Sequence, residues 1–299
     1  MTVPMIIDTD PGVDDAVAVL LAVASPRVQL LALTTVFGNA GVDVTTTNAL
    51  RLRALSGLDQ LPVAAGADRP LAYPRHPRAS CWHGVDGLAG QAEQLPAPSG
   101  PISPLGAVPL MATLLRSAPI PVTLAAIGPL TNIALLLAVH PELKPRIERV
   151  VAMGGDFSQS QAEFNVGSDP EAARRVLVEE DVPTTLVPLD LTRRAVPDDT
   201  WLAELAAAGP RCAVLAGIIE AYRQQRRAPV ALHDSLAVLE AAAPGTVRTT
   251  PRCLDVVCDR GPARGAVVSG LPGRHVQVAH DGDLASINAT ILNRLRRLE

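Results

Sequence analysis

The segment Asp8-Thr9-Asp10-Pro11-Gly12-Val13-Asp14-Asp15 places four carboxylates within eight residues and no basic side chain among them. Crowded like charges raise one another's pKa, so such a cluster stays ionised only if a cation intervenes. Oxygen donors suit a hard divalent ion, calcium or magnesium, rather than zinc. Helix capping accounts for one or two of the four, because Asp14 and Asp15 fall where a helix would begin and its dipole favours anions. Capping does not account for all of them. An EF-hand loop starting at Asp8 is excluded, since Val13 and Val19 occupy the positions that need Gly and Glu. An aspartyl-phosphate enzyme also opens on strand-Asp-x-Asp, but it would want a lysine near the phosphate. The single lysine, Lys144, sits among helix-terminating prolines, which leaves that reading the weaker one.

Further polar islands interrupt otherwise apolar sequence. Phe37-Gly38-Asn39 reads by itself as a turn, with Asn39 tolerating left-handed geometry. Trp82-His83-Gly84-Val85-Asp86-Gly87 lies in a Pro/Arg-rich loop and is equally a surface turn or a site. In Ala126-Ile127-Gly128-Pro129-Leu130-Thr131-Asn132, Thr131 or Asn132 is expected to cap a helix, which leaves the strand-end carbonyl of Ile127 free for a ligand. Met153-Gly154-Gly155-Asp156 precedes Glu163 and Asn165, which would point the same way from an extended segment. Asp169 and Pro170 have helix-start chemistry. His233-Asp234 precedes an apolar helix that Asp234 could simply cap.

These residues need a scaffold. Short β-type runs alternate with Ala/Leu-rich helical ones, the pattern of a parallel sheet covered by helices. Strands are expected at VPMIID, VQLLALTTV, LPVAAG, PVTLAAIG, IERVVAM and TTLVPLD, and near Leu254 and Val276. Helices are expected after Asp14, over 44–55, 130–139, 170–180 and 200–227, from about Asp234, and at the C-terminus. The fold class is α/β: one domain over 1–299, built on a parallel sheet covered by helices. The acidic run then falls at the carboxyl end of the first strand, where open α/β sheets bind ligands.

Composition narrows the function. With 48% hydrophobic residues and a net charge of −4 over 299 residues, the chain has ample core and is not disordered. An acidic balance argues against duplex nucleic acid as a partner. The longest apolar run, 16–24, is too short to span a membrane. The N-terminus lacks the basic region of a signal peptide. Cys81, Cys212, Cys253 and Cys258 show no metal-type pairing and read as reduced packing thiols of a cytoplasmic protein.

Taken in order, DTDPGVDDA, GN, HGxDGL, GPLTN, MGG, EFN with DPEAA, and HD resemble the inosine-uridine-preferring nucleoside hydrolases over essentially the whole chain. The resemblance implies calcium-dependent hydrolysis of an N-glycosidic bond, releasing free base and ribose. It implies Asp10, Asp15, Asp234 and the main-chain carbonyl of Ile127 as calcium ligands. Asp14, Asn39, Met153, Glu163 and Asn165 match positions that hold the ribose. His233 matches a histidine near the leaving base, and His83 one at the pocket mouth. Asp10, beside the attacking water, is the candidate general base. The resemblance also implies a single-domain, mostly parallel, Rossmann-like sheet with helices on both faces, and a homodimer or homotetramer. Two other readings stay open: a same-fold hydrolase of a modified riboside, and a calcium-stabilised binding protein without turnover. Trp82, Phe164 and Tyr222 are the aromatics within plausible reach of a base.

Overall fold

A computed structural model describes residues 2–72, 83–158 and 162–299. Among these, eight strands form one sheet in the order β3-β2-β1-β4-β5-β6-β10-β7. They are β1 (Val3–Thr9), β2 (Val28–Thr35), β3 (Val63–Ala65), β4 (Val122–Ala126), β5 (Ile147–Met153), β6 (Thr184–Val187), β7 (Arg248–Arg252) and β10 (Val276–Asp281). All neighbours run parallel except β7 beside β10. A separate antiparallel ribbon joins β8 (Leu254–Val256) to β9 (Val267–Ser269).

The central strands are apolar on both faces because helices cover both. Met5 and Ile7 of β1 enter one core with Leu33, Ala125 and Val151, while Ile6 enters the other with Ala32, Leu124 and Val150. That alternation is the two-residue period of a strand, and a sheet buried on both sides makes each strand read as a continuous apolar run. The helix Val13–Val23 is also buried nearly all round and packs along the helix His233–Ala242. Fully burying a leucine such as Leu20 or Leu21 contributes about 1.5–3 kcal/mol.

The chain winds outward from β1 to β2 and β3, then returns to place β4 on the other side of β1. The switch point therefore lies between β1 and β4, where Asp8 sits opposite Ala126. A crevice forms there, outside the carboxyl ends of the strands.

Several expectations are corrected. The stretch 200–227 forms two helices, Asp199–Ala206 and Pro210–Arg226, because Pro210 begins a helix and cannot continue one. The run after Thr184 leaves the sheet at Val187, and Leu189–Thr192 is a short helix. The strand at Leu254 belongs to the ribbon and not to the main sheet. The segment 170–180 starts as a helix, with Asp169 accepting from the Ala172 amide as its cap, then widens into a π-helical turn over Arg175–Glu179. The helix Ala107–Ser117 and the polar edge strand β7 carry no counterpart in the sequence reading. Cys81 and Trp82 lie outside the described residues.

Thr131 and Asn132 do not cap their helix. Thr131 Oγ1 donates to Asp169 Oδ2 at 2.7 Å. Asn132 Nδ2 donates to Asp8 Oδ1 at 2.8 Å and to the Thr35 carbonyl at 2.9 Å, while its Oδ1 accepts from the Ala67 amide at 2.9 Å. A fully buried amide thus ties β1, β2 and the loop after β3 beneath the crevice. Asn132→Ala strands the Ala67 amide and one bond of Asp8. It should cost about 2–4 kcal/mol, since each buried group left unsatisfied costs roughly 1–3. The urea midpoint of the variant checks this, and an unshifted midpoint would show that the three bonds do not hold the strands.

Candidate active site

Past the end of β1 the chain turns through Asp10 while β4 continues into Ile127 and Gly128, and the Ile127 amide still donates to the Asp8 carbonyl at 2.8 Å. Asp10 is held there from one side only. Its Oδ2 accepts from the Asn39 amide at 2.7 Å, and its Oδ1 is buried without a partner among the described residues. Two glycines make room for it. A Cβ on Gly38 would stand 2.0 Å from Asp10 Oδ2, and one on Gly128 would stand 2.6 Å from Asp10 Oδ1. Asn39 does not sit in a left-handed turn; the positive φ falls on Gly38, at 155°.

Asp14 and Asp15 occupy the first turn of the helix Val13–Val23, and Asp234 the first turn of His233–Ala242. Because those helices pack together, their acidic first turns meet. Asp14, Asp15 and Asp234 each offer an oxygen within 4.8 Å of the others, and Asp10 stands outside this trio. Asp15 is fixed by Thr9 Oγ1 at 2.5 Å, by the Gly12 amide at 2.9 Å and by Asn39 Nδ2 at 3.0 Å. Asp234 does not cap its helix, and its Oδ1 is buried and unpartnered among the described residues. Among the described residues no arginine or lysine pairs with Asp10, Asp15 or Asp234.

Electrostatics follow from this packing. Burial, then the charge of Asp15, pushes the Asp10 carboxyl well above its usual range. Burial, then Asp14, raises Asp15 to about 7. Asp234 is also raised, by burial first and then by Asp14, Asp15 and Asp10. Asp8 rises to about 7 through burial, against the bonds from Thr34 and Asn132. These groups cannot all be anions at neutral pH without added positive charge.

Above them opens a cavity of about 830 Å³, within the size range of small-molecule sites. Asp14, Asp15, Asn39, His83, Ile127, Met153, Glu163, Asn165, His233 and Asp234 all line it. Glu163 and Asn165 do not project from an extended segment. Glu163 caps the short helix Phe164–Ser168, accepting from the amides of Gly155, Asn165 and Val166 at 2.9–3.0 Å. Asn165 Nδ2 donates to the carbonyls of Ile127 and Met153, at 3.1 and 3.2 Å. Among the described residues the Ile127 carbonyl therefore has one side-chain partner and one lone pair to spare. His83 accepts from the Val13 amide through Nδ1 at 3.2 Å, and its ring lies 5.5 Å from that of Tyr222. Burial lowers the pKa of both His83 and His233.

Phe164 and Tyr222 reach the cavity as expected, and so do Asp156 and Arg193, which pair with each other at 2.8 Å. Nothing local in the sequence marks Arg193; only its place just beyond the carboxyl end of β6 could have pointed to it. Lys144 is paired with Glu180 and Asp181 at 2.6 and 3.0 Å and is not a cavity residue. Among the described residues no helix is long and apolar enough to cross a membrane.

An open α/β sheet with converging carboxylates at its switch point is the class of site that holds a small polar ligand through oxygen donors and a cation. The chain belongs to the inosine-uridine preferring nucleoside hydrolase family, whose sequence profile matches residues 5–294. It is a nucleoside hydrolase, an enzyme acting on N-glycosyl bonds. It is 41% identical over 249 residues to a pyrimidine-specific ribonucleoside hydrolase, RihA, of Shewanella sp. (strain ANA-3), covering 80% of this chain and 77% of that one. It is 38% identical over 298 residues to a non-specific ribonucleoside hydrolase, RihC, of Escherichia coli O1:K1 / APEC, covering 95% of each. Among solved structures, it superimposes on a purine-preferring ribonucleoside hydrolase from Gardnerella vaginalis with a TM-score of 0.91 at 25% identity, covering 99% and 98% of the two chains.

The glycines around Asp10 make a sharp test. Gly128→Ala puts a methyl group against Asp10 Oδ1 and Val36, so the carboxylate must move. A displacement of about 1 Å at a reacting group can cost roughly a hundredfold. Release of reducing sugar should fall by at least about tenfold while the circular dichroism spectrum stays native. Unchanged turnover would show that the position of Asp10 is not critical.

Proposed function

We propose that the protein is a calcium-dependent ribonucleoside hydrolase that cleaves the N-glycosidic bond to give free base and ribose. The observation that carries this reading is the carboxylate floor, with half-buried Asp14 converging on buried Asp15 and Asp234, and with Asp10 Oδ1 and Asp234 Oδ1 left without partners among the described residues. Fully buried unpaired carboxylate oxygens are costly unless something binds them. The donors are all oxygens, and they fit a hard divalent ion such as Ca2+. Asp10, Asp15, Asp234 and the Ile127 carbonyl would hold it, with Asp14 within reach of the same cluster. Bound there, the ion would orient sugar hydroxyls and the attacking water and lower the pKa of that water.

The chain's own residues supply the rest. Asp10 is the proposed general base: its Oδ1 is buried with no partner among the described residues, which leaves it able to accept a proton from the attacking water. Asn39 and Asn165 spend their amide hydrogens on protein acceptors, which leaves each amide oxygen for the sugar. Together with Asp14 and Glu163 they surround the ribose with acceptors. These bind its hydroxyls and favour the positive charge that develops on the ring as the bond to the base lengthens. Met153 closes the floor beside Asn165, with Sδ 3.5 Å from the Asn165 amide. His233 and His83 stand on the cavity wall, where the base departs and where the pocket opens.

Two measurements test this. Enzyme treated with chelator and shown to be metal-free should lose turnover on every nucleoside of a purine and pyrimidine panel, and added Ca2+ should restore it. Full activity of the metal-free sample would end the reading, and no activity in any state would point to a binding protein. Removing a sugar hydroxyl that the site is built to bind leaves buried polar groups unpaired. The enzyme should therefore prefer inosine to 2′-deoxyinosine by orders of magnitude in kcat/KM. Comparable efficiencies would mean that these residues do not hold the 2′-hydroxyl.

A further inference from the structure

His233 opens the helix His233–Ala242 and lines the cavity, yet among the described residues its ring has a single hydrogen-bond partner. That partner is the hydroxyl of Thr192, 2.8 Å from His233 Nδ1. Thr192 is completely buried, and its hydroxyl makes no other hydrogen bond among the described residues. A threonine in a helix ordinarily turns its hydroxyl back to a carbonyl of the preceding turn. Here it is turned to the imidazole instead.

The segment that carries Thr192 is itself pinned from two directions. The Leu189 amide donates to the Gly155 carbonyl at 2.9 Å, Asp190 Oδ2 accepts from the Phe157 amide at 2.8 Å, and Arg193 pairs with Asp156 at 2.8 Å. On the other side the Leu232 amide donates to the Ala195 carbonyl at 2.9 Å. Residues 189–195 therefore connect the wall beside Glu163 to the loop that presents His233.

We infer that Thr192 is a positioning residue for His233: its hydroxyl holds Nδ1 and leaves Nε2 as the ring nitrogen facing the departing base. This rests on the proposed place of His233 at the leaving group. A hydroxyl suits the task because it both donates and accepts, so the bond to Nδ1 persists whichever ring nitrogen carries hydrogen. Without it the ring could rotate about its side-chain torsions, and misorientation of a group that must meet the base lowers the rate of the bond-breaking step without weakening ribose binding.

The test uses Thr192→Val, Thr192→Ser, His233→Ala and the double variant Thr192→Val/His233→Ala, each assayed on a natural nucleoside and on p-nitrophenyl riboside, whose leaving group needs no help. Thr192→Val should lower kcat on the nucleoside about tenfold, with KM and the p-nitrophenyl rate within about twofold. Thr192→Ser should recover most of the loss, and Thr192→Val should add nothing once His233 is gone. The proposal is overturned if Thr192→Val slows both substrates alike, changes neither, is not rescued by serine, or costs as much in the His233→Ala background. A His233→Ala variant that slows both substrates equally would remove His233 from the leaving group. Non-additivity in the double variant then still decides separately whether Thr192 positions the ring.

Discussion

Bringing Asp10, Asp15 and Asp234 out of water beside one another raises the free energy of their ionised forms twice, by desolvation and by mutual repulsion. Partial compensation comes from the scaffold. Asp15 collects a hydroxyl, an amide and an asparagine side chain, and Asp10 collects one amide. Asp14, Asp15 and Asp234 also lie in the first turns of two helices, where the backbone dipoles favour negative charge by roughly 0.3–1 kcal/mol each. Those terms are small against the burial of several charges. Added positive charge near this floor would therefore relieve both costs.

Topology explains why the carboxylates meet at this point. The strand order reverses between β1 and β4, so the loops leaving these two strands diverge to opposite faces and leave a crevice between them. Asp10 fills the root of that crevice because glycine follows on both sides, Gly38 after β2 and Gly128 after β4. The helix His233–Ala242 comes from far along the chain, yet it packs along Val13–Val23 and brings Asp234 to Asp14 and Asp15. Relatives described as pyrimidine-specific, non-specific and purine-preferring share this scaffold.

Much of this was legible in the sequence. Seven parallel strands and most of the helices follow from apolar runs separated by turn residues, and the acidic run after β1 identifies itself by density. The unread parts are those where local pattern and tertiary role part company. β7, Arg-Thr-Thr-Pro-Arg, has no apolar signature because it is an exposed antiparallel edge, where proline is tolerated. Asn132 has the composition of a helix cap and serves instead as a buried cross-tie. Glu163 matches a sugar-facing position, and it also caps a helix through the amides of Asn165 and Val166 and accepts from the Gly155 amide. Thr192 and Arg193 carry no motif at all; their importance comes from the segment that ends β6 and from what that segment touches.

The cavity wall is drawn from almost the whole length of the chain, from Val13 to Arg264. No contiguous fragment contains the floor, since Asp10 and Asp234 enter from opposite ends of the sequence. Parallel sheets are built from non-local contacts, whose loop-closure entropy makes them slow to form. Asp234 joins the other carboxylates only once the helix that carries it has docked against Val13–Val23, and the crevice exists only once β4 has paired with β1. Any folding intermediate lacking either contact has no site. Recovery of activity during refolding is thus a clock for the last docking event, and its lag behind the return of helical signal measures how late the two ends of the chain find each other.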